Sequence, residues 1–207
     1  MNVGAARTRP HSSYDFCVEA DFAIELDAED ETLEFPWTDP DKHFQYYDLK
    51  RQPELLILVE EARRAPELGA FLTAINSPES RLESAKCDAW SNCEMDPEDE
   101  IFGAAVKFGS YVDLLFTQEQ LRFSFPAHEQ FAKRLEGLLR RAPEIPASAE
   151  CLIRRCFYHV GTAVRDGFYF TLYVFGYGND EESARKQWAA GLRVVTDVIQ
   201  ELNQTEI

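Results

Sequence analysis

Alternation of apolar and polar residues identifies a strand near the N-terminus. From Tyr14 to Leu26 every second residue is apolar, and the positions between them are mostly acidic. This period of two predicts a strand with one buried and one solvated face. An acidic turn at residues 27–31 follows, and then a short apolar segment from Thr32 to Trp37. We expect this segment to pair back on the first strand, so that residues 14–37 form a hairpin.

Helical periodicity appears in three later stretches. A helix begins at Pro53, where proline suits the first turn, and Pro66 interrupts it. A second helix runs from Pro126 to about Arg141. A third follows an N-cap at Asn179 or Asp180. Its predicted buried stripe comprises Ala184, Trp188, Leu192, Val195, Ile199 and Leu202.

β-type patterns fill the intervals between these helices. Three strands are predicted between the first two helices, over Arg81–Met95, Ile101–Thr117 and Leu121–Phe125. Two more strands, Ala149–Val160 and Gly167–Gly178, precede the last helix. Strands joined by short turns are antiparallel neighbours. The predicted fold class is therefore α+β, an antiparallel β-sheet with helices packed on one face, in the order β-β-α-β-β-β-α-β-β-α.

No composition break divides the chain, so residues 14–207 are interpreted as a single α+β domain. Residues 1–13 are interpreted as a flexible, mildly basic tail. Within the domain, residues 53–203 form a core in the order α-β3-α-β2-α. This order of elements resembles that of type III secretion chaperone-like domains and their bacterial relatives. The resemblance rests on topology, and it implies a small, acidic, dimeric protein that binds other proteins.

Charge and composition narrow the functional classes. The chain carries 37 acidic and 21 basic residues, a formal net charge of −16. Such a surface repels phosphate backbones and anionic membranes, so we predict no nucleic-acid and no membrane partner. A protein partner with a basic surface fits better. An odd count of five cysteines, without a signal-peptide core, predicts a reducing compartment and a cytoplasmic location.

Sequence motifs for catalysis, metals and cofactors are weak. The segment Gly176-Tyr177-Gly178 precedes a helix, but Asp180 and Glu181 occupy the position where a dinucleotide phosphate would bind. The cysteines lack the paired spacing of a zinc site, and position 132 is alanine where a His-Glu-x-x-His motif needs histidine. We predict no catalytic residue, no metal and no cofactor. Whether the chain is an enzyme stays open, and the sequence favours a non-enzymatic role.

The strand Gly167–Gly178 carries the most suggestive surface. One face has Phe168, Phe170, Leu172 and Val174, which suit a helix-packed core. The other, which we name the tyrosine face, has Tyr169, Thr171, Tyr173, Phe175 and Tyr177. Arg154 and Tyr158 of the adjacent strand, and Trp90, are expected to join it. Its cover could be the N-terminal hairpin, a second subunit or a ligand. The candidate partner or ligand face is therefore Tyr169, Tyr173, Tyr177, Arg154, Tyr158 and Trp90.

Two functional hypotheses follow from these patterns. The first is a non-enzymatic, intracellular protein-binding domain of chaperone-like, adaptor or immunity type that acts as a homodimer. It is favoured by the acidic charge, the absent motifs and the tyrosine face. The alternative is a small-molecule-binding or enzymatic domain with a pocket between the sheet and the helices.

Overall fold

The computed structural model describes residues 18–37, 45–92, 103–142 and 145–204. The predicted tail, residues 1–13, and the start of the first predicted strand lie outside these ranges. The strands are β1 (Glu19–Glu25), β2 (Thr32–Phe35), β3 (Leu82–Asn92), β4 (Val106–Phe116), β5 (Ala147–Val160) and β6 (Ala163–Gly178). The α-helices are α1 (Glu60–Arg64), α2 (Pro66–Ile75), α3 (Glu119–Arg122), α4 (Phe125–Leu139) and α5 (Glu181–Asn203), and a 3-10 helix spans Pro53–Leu58.

The strands form one six-stranded mixed sheet in the order β1-β5-β6-β4-β3, with β2 also paired to β5. Neighbours among β3, β4, β5 and β6 are antiparallel, whereas β1 and β2 both run parallel to β5. The α+β class is confirmed. The prediction of a wholly antiparallel sheet in the stated order is wrong in part, because the N-terminal strands are parallel to their partner.

The predicted N-terminal hairpin is not formed. Glu25, the last residue of β1, lies opposite Arg154, and Thr32, the first residue of β2, lies opposite Arg155. The two strands therefore follow each other along one edge of β5, separated by a short acidic loop. Because both glutamates that flank this loop bind the Arg154 side chain, the chain returns to β5 after the loop instead of reversing on β1.

The short strand predicted over Leu121–Phe125 is also wrong. This segment begins with α3 and leads directly into α4. Both edges of β4 are already occupied, by β3 and β6, so a third strand could not pair with β4. The Arg122 guanidinium donates to the Phe116 carbonyl at 2.7 Å and forms an ion pair with Glu83, and these contacts hold the turn against the sheet.

The helices α2, α4 and α5 supply one side of the main core. Their buried residues include Leu68, Phe131 and Trp188, which belong to one apolar cluster with Phe170 and Leu172 of β6. The predicted stripe of α5 is buried as expected. Asp180 is confirmed as the N-cap, since its carboxylate accepts from the Ser183 N–H at 2.7 Å.

Close packing of α5 on β6 depends on Gly176. A Cβ atom built at this position would lie 1.9 Å from the backbone nitrogen of Trp188. Gly176 and Gly178, the two glycines at the end of β6, therefore allow α5 to pack closely on the strand. This contact gives Gly176 a structural role at the end of β6.

We predict that Gly176→Ala destabilises the chain by roughly 3 kcal/mol, because the added methyl group forces α5 away from the sheet. Urea unfolding followed by circular dichroism measures the change. Gly137→Ala is the matched control, since a Cβ at Gly137 of α4 meets no atom within 4 Å. Equal unfolding midpoints for the two variants would contradict the role assigned to Gly176.

Candidate functional site

The six residues predicted as a partner or ligand face differ in exposure. Tyr169, Tyr158, Tyr177 and Arg154 are buried, with 0%, 2%, 5% and 8% of their surface exposed. Trp90 and Tyr173 are half-buried. Their role as a binding surface stays a prediction, and the half-buried members are those that a partner can reach.

The chain itself covers one end of the tyrosine face. Leu33 and Phe35 of β2 pack in a second apolar cluster with Tyr158 and Tyr169. Trp37 extends this cover to the far edge of the sheet, where its indole N–H donates to the Ala85 carbonyl at 2.9 Å. Intramolecular cover, one of the alternatives left open by the sequence, therefore accounts for this end of the face.

A row of polar side chains crosses the middle of the tyrosine face. The Arg154 guanidinium binds Glu25 at 2.7 Å and Glu31 at 3.0 Å, and it donates to the Thr171 hydroxyl at 3.2 Å. Thr171 in turn donates to the Asp113 carboxylate at 2.7 Å. The row therefore links the N-terminal edge of the sheet, through β5 and β6, to β4.

Burial dominates the titration of Asp113, whose side chain lies inside the sheet with 2% of its surface exposed. Desolvation raises the pKa of this carboxyl from 3.8 to about 7, and the hydrogen bond from Thr171 opposes the increase. The nearby charge of Glu31 raises the pKa further, whereas Lys86 and Arg154 lower it. Asp113 is therefore a group that changes its charge near neutral pH.

Four aromatic rings continue the tyrosine face beyond the polar row. Trp90 contacts Tyr111 at a ring-centroid distance of 6.3 Å and Phe175 at 6.1 Å, and Tyr173 contacts both Tyr111 and Phe175. We name these four residues the aromatic ladder. Gly109 lies beneath it, since a Cβ there would meet the Phe175 ring at 2.7 Å. All four rings are half-buried, so the ladder is accessible along one side.

A cavity of about 1050 Å³ lies at the outer edge of β3. Four carboxylate residues line it: Glu34, Glu60, Glu61 and Asp88. The cations nearby are Lys86, which lies over the Trp37 ring, and Arg64, which pairs with Asp88 at 3.4 Å. We name this cavity the acidic groove. Tyr111 lines it too, so the groove adjoins the aromatic ladder.

The cysteine thiols and the candidate metal ligands of the described residues show little sign of a reactive site. Burial raises the pKa of the Cys87, Cys151 and Cys156 thiols to about 12, which suppresses the reactive thiolate. No group of three His, Cys, Asp or Glu residues in the described ranges is placed to hold a metal ion. None of the helices in these ranges is both long and apolar enough to cross a membrane.

Sequence reasoning missed several residues of this site. The sequence could have indicated Asp113, since it is the one charged residue in the apolar run from Tyr111 to Phe116. No sequence feature distinguishes Glu25, Glu31 and Asp88 from the other acidic residues, of which the chain has 37 in all. Only the register of β1, β2 and β3 against their neighbours brings these three carboxylates to the tyrosine face and to the groove.

We predict that Asp113→Asn stabilises the chain above pH 7 and that its advantage shrinks as the pH falls towards 5. Between about pH 4 and 7 folded Asp113 keeps a proton that the unfolded chain releases. Its contribution to the free energy of unfolding therefore declines with rising pH, by roughly 4 kcal/mol at most. Urea titrations at pH 5, 6, 7 and 8 test this. Exposed Asp197→Asn is the control, and a difference from wild type that is constant with pH would refute the assignment.

Three comparisons with known proteins identify no relative of this chain. A scan of the chain against protein-family models finds no match, and searches of the curated proteins and of the solved structures also find none. The functional interpretation of the chain accordingly rests on the acidic groove, the polar row and the aromatic ladder.

Proposed function

We propose that this chain is a non-enzymatic protein-binding domain, of chaperone-like, adaptor or immunity type, that holds a positively charged segment of a partner in the acidic groove. The observation that carries the proposal is the lining of the groove. Its four carboxylates outnumber the cations Lys86 and Arg64, on a chain whose net charge is −16. The repulsion among these carboxylates decreases when a cationic segment binds.

The exposure of the lining makes the attraction moderate and salt-dependent. The side chains of Asp88 and Glu34 are 48% and 57% exposed, so water and ions screen their charges. Glu34 is also hydrogen-bonded to His159. Such a surface favours fast, reversible association with basic partners and disfavours acidic ones.

The backbone of β3 supports binding of an extended segment. β3 is the last of the described strands in the sheet order, and the Ala89 N–H donates to the side chain of Asp88 at 2.7 Å. Backbone groups of a strand point alternately to its two sides, so those of Cys87 and Ser91 face outward with Ala89. An incoming strand can use the outward groups of Cys87 and Ser91 and the Ala89 carbonyl, while Asp88 occupies the Ala89 N–H, as in other complexes formed by strand addition.

A cytoplasmic location is part of the proposal. Cys87, Cys151 and Cys156 are free thiols in the described part of the chain, and Cys151 and Cys156 are buried. Buried free cysteines are typical of proteins folded in a reducing compartment. The acidic groove would there meet the basic segments of other intracellular proteins.

We predict that the peptide acetyl-(Lys-Thr)₅-amide binds the chain about tenfold more tightly than acetyl-(Glu-Thr)₅-amide. Raising the salt from 50 to 300 mM should weaken binding of the lysine peptide roughly tenfold, because exposed charges are screened. Isothermal titration calorimetry gives both values. Equal affinity for the two peptides, or no binding of either, would contradict the proposed function.

A matched pair of variants separates the groove from the net charge of the chain. The triple variant Glu60→Gln, Glu61→Gln, Asp88→Asn removes three charges from the groove. The control, Glu182→Gln, Asp197→Asn, Glu201→Gln, removes three exposed charges from α5. We expect the groove variant to lose most of its affinity for the lysine peptide and the α5 variant to keep it.

The homodimer predicted from the sequence is a further part of the proposal. Ile57 and Leu58 in the 3-10 helix are 73% and 52% exposed, an aliphatic pair suited to a contact between two copies. Light scattering should give twice the 23.7 kDa mass of one chain, and Ile57→Glu should lower it to the mass of a monomer. A monomer at 100 μM wild-type protein would overturn this part.

A further inference from the structure

We propose that Trp90 and Tyr111 of the aromatic ladder bind the lysine or arginine side chains of the partner segment by cation–π contact. The inference rests on the proposed function and specifies its chemistry. The groove would attract a basic segment by charge. The ladder would select segments whose positive charge is on a long lysine or arginine side chain, because only such a side chain can lie over an aromatic ring.

The geometry places a carboxylate beside each of these two rings. Asp88 precedes Trp90 by two residues, so the two side chains share a face of β3. Asp88 also lies directly opposite Tyr111 in the register of β3 and β4. A cation over the Trp90 or Tyr111 ring would therefore meet the negative face of the ring and the Asp88 carboxylate together, a combination that recognises ammonium and guanidinium groups.

A segment in the acidic groove has direct access to these rings. A strand added beside β3 would lie about 4.8 Å from it. Side chains of that strand on the tyrosine face would then be cross-strand neighbours of Asp88 and Trp90. Tyr111, one strand further inward, lines the groove itself. The ladder is thus continuous with the surface on which the segment would lie.

The chain already places its own cations over neighbouring rings. Lys107 lies 5.5 Å from the centroid of Phe175, and Lys86 lies 5.5 Å from that of Trp37. In the described ranges no lysine or arginine of the chain lies over Trp90 or Tyr111. Tyr173 has none either, but Trp90 and Tyr111 are the rings that lie beside Asp88, so they are the ones we assign to a cation from outside. A second copy of the chain is a poorer occupant, because Asp88 and the net charge of −16 would repel it.

The test compares Trp90→Leu with wild type in binding of acetyl-(Lys-Thr)₅-amide. We expect a loss of roughly tenfold in affinity, with the salt dependence unchanged, and a smaller loss for Trp90→Phe, because phenylalanine keeps a weaker aromatic face. Phe157→Leu is the matched control, since this half-buried ring lies outside the ladder and the groove and is already covered by Arg155, and the variant should bind like wild type. Circular dichroism verifies that each variant is folded.

The outcomes separate this inference from the proposed function. If wild type binds the lysine peptide and Trp90→Leu binds it equally well, the role of the ladder is refuted while the acidic groove stands. If wild type does not bind the peptide, both proposals fail. If Phe157→Leu loses as much affinity as Trp90→Leu, the loss is not specific to the ladder and the cation–π role is refuted.

A second measurement needs no destabilising variant. The difference in fluorescence between wild type and Trp90→Phe reports Trp90, and we expect caesium ions to quench it more strongly than iodide, since Asp88 attracts cations. The lysine peptide should then protect Trp90 from caesium. Protection from both quenchers without peptide would mean that the chain or a second copy already covers the ladder, and this would overturn the inference.

Discussion

The buried guanidinium of Arg154 is the constraint on which the N-terminal half of the site depends. A charge that is 8% exposed inside a sheet is unfavourable unless carboxylates and hydrogen bonds compensate for it. Glu25 and Glu31 supply the carboxylates, and Thr171 accepts a further hydrogen bond. Because these glutamates flank the loop between β1 and β2, satisfying Arg154 also docks both strands on β5.

That docking determines what the tyrosine face can do. With β2 in place, Leu33 and Phe35 cover Tyr158 and Tyr169, and Trp37 reaches β3 at Ala85. The covered end becomes a second small core. The opposite end has no such cover from the described residues, so Trp90 and Tyr173 are half-buried. One sheet face is thereby divided into a half covered by β2 and a half that is more accessible.

The polar row between these halves has both a structural and an electrostatic role. It carries the compensated charge of Arg154 at one end and Asp113, a carboxyl that ionises near neutral pH, at the other. Asp88 and the groove carboxylates extend the negative region to the outer edge of β3. The accessible half of the face thus combines aromatic rings with negative charge, which suits a cationic segment better than an acidic or apolar one.

Local pattern in the sequence determined most of the secondary structure. The strands β3 to β6, the last two helices and the N-cap Asp180 follow from periodicity and capping, which depend on neighbours along the chain. The helix-facing side of β6 was also readable, since Phe170 and Leu172 are buried as expected. Only tertiary structure decided the rest. The direction of β1 and β2 depends on Arg154, more than 120 residues away along the chain. The position of the acidic groove depends on the strand order, which places β3 at the outer edge of the sheet. Such long-range pairings leave no local signal, because an acidic residue that binds a buried arginine looks, in sequence, like any other solvated acid.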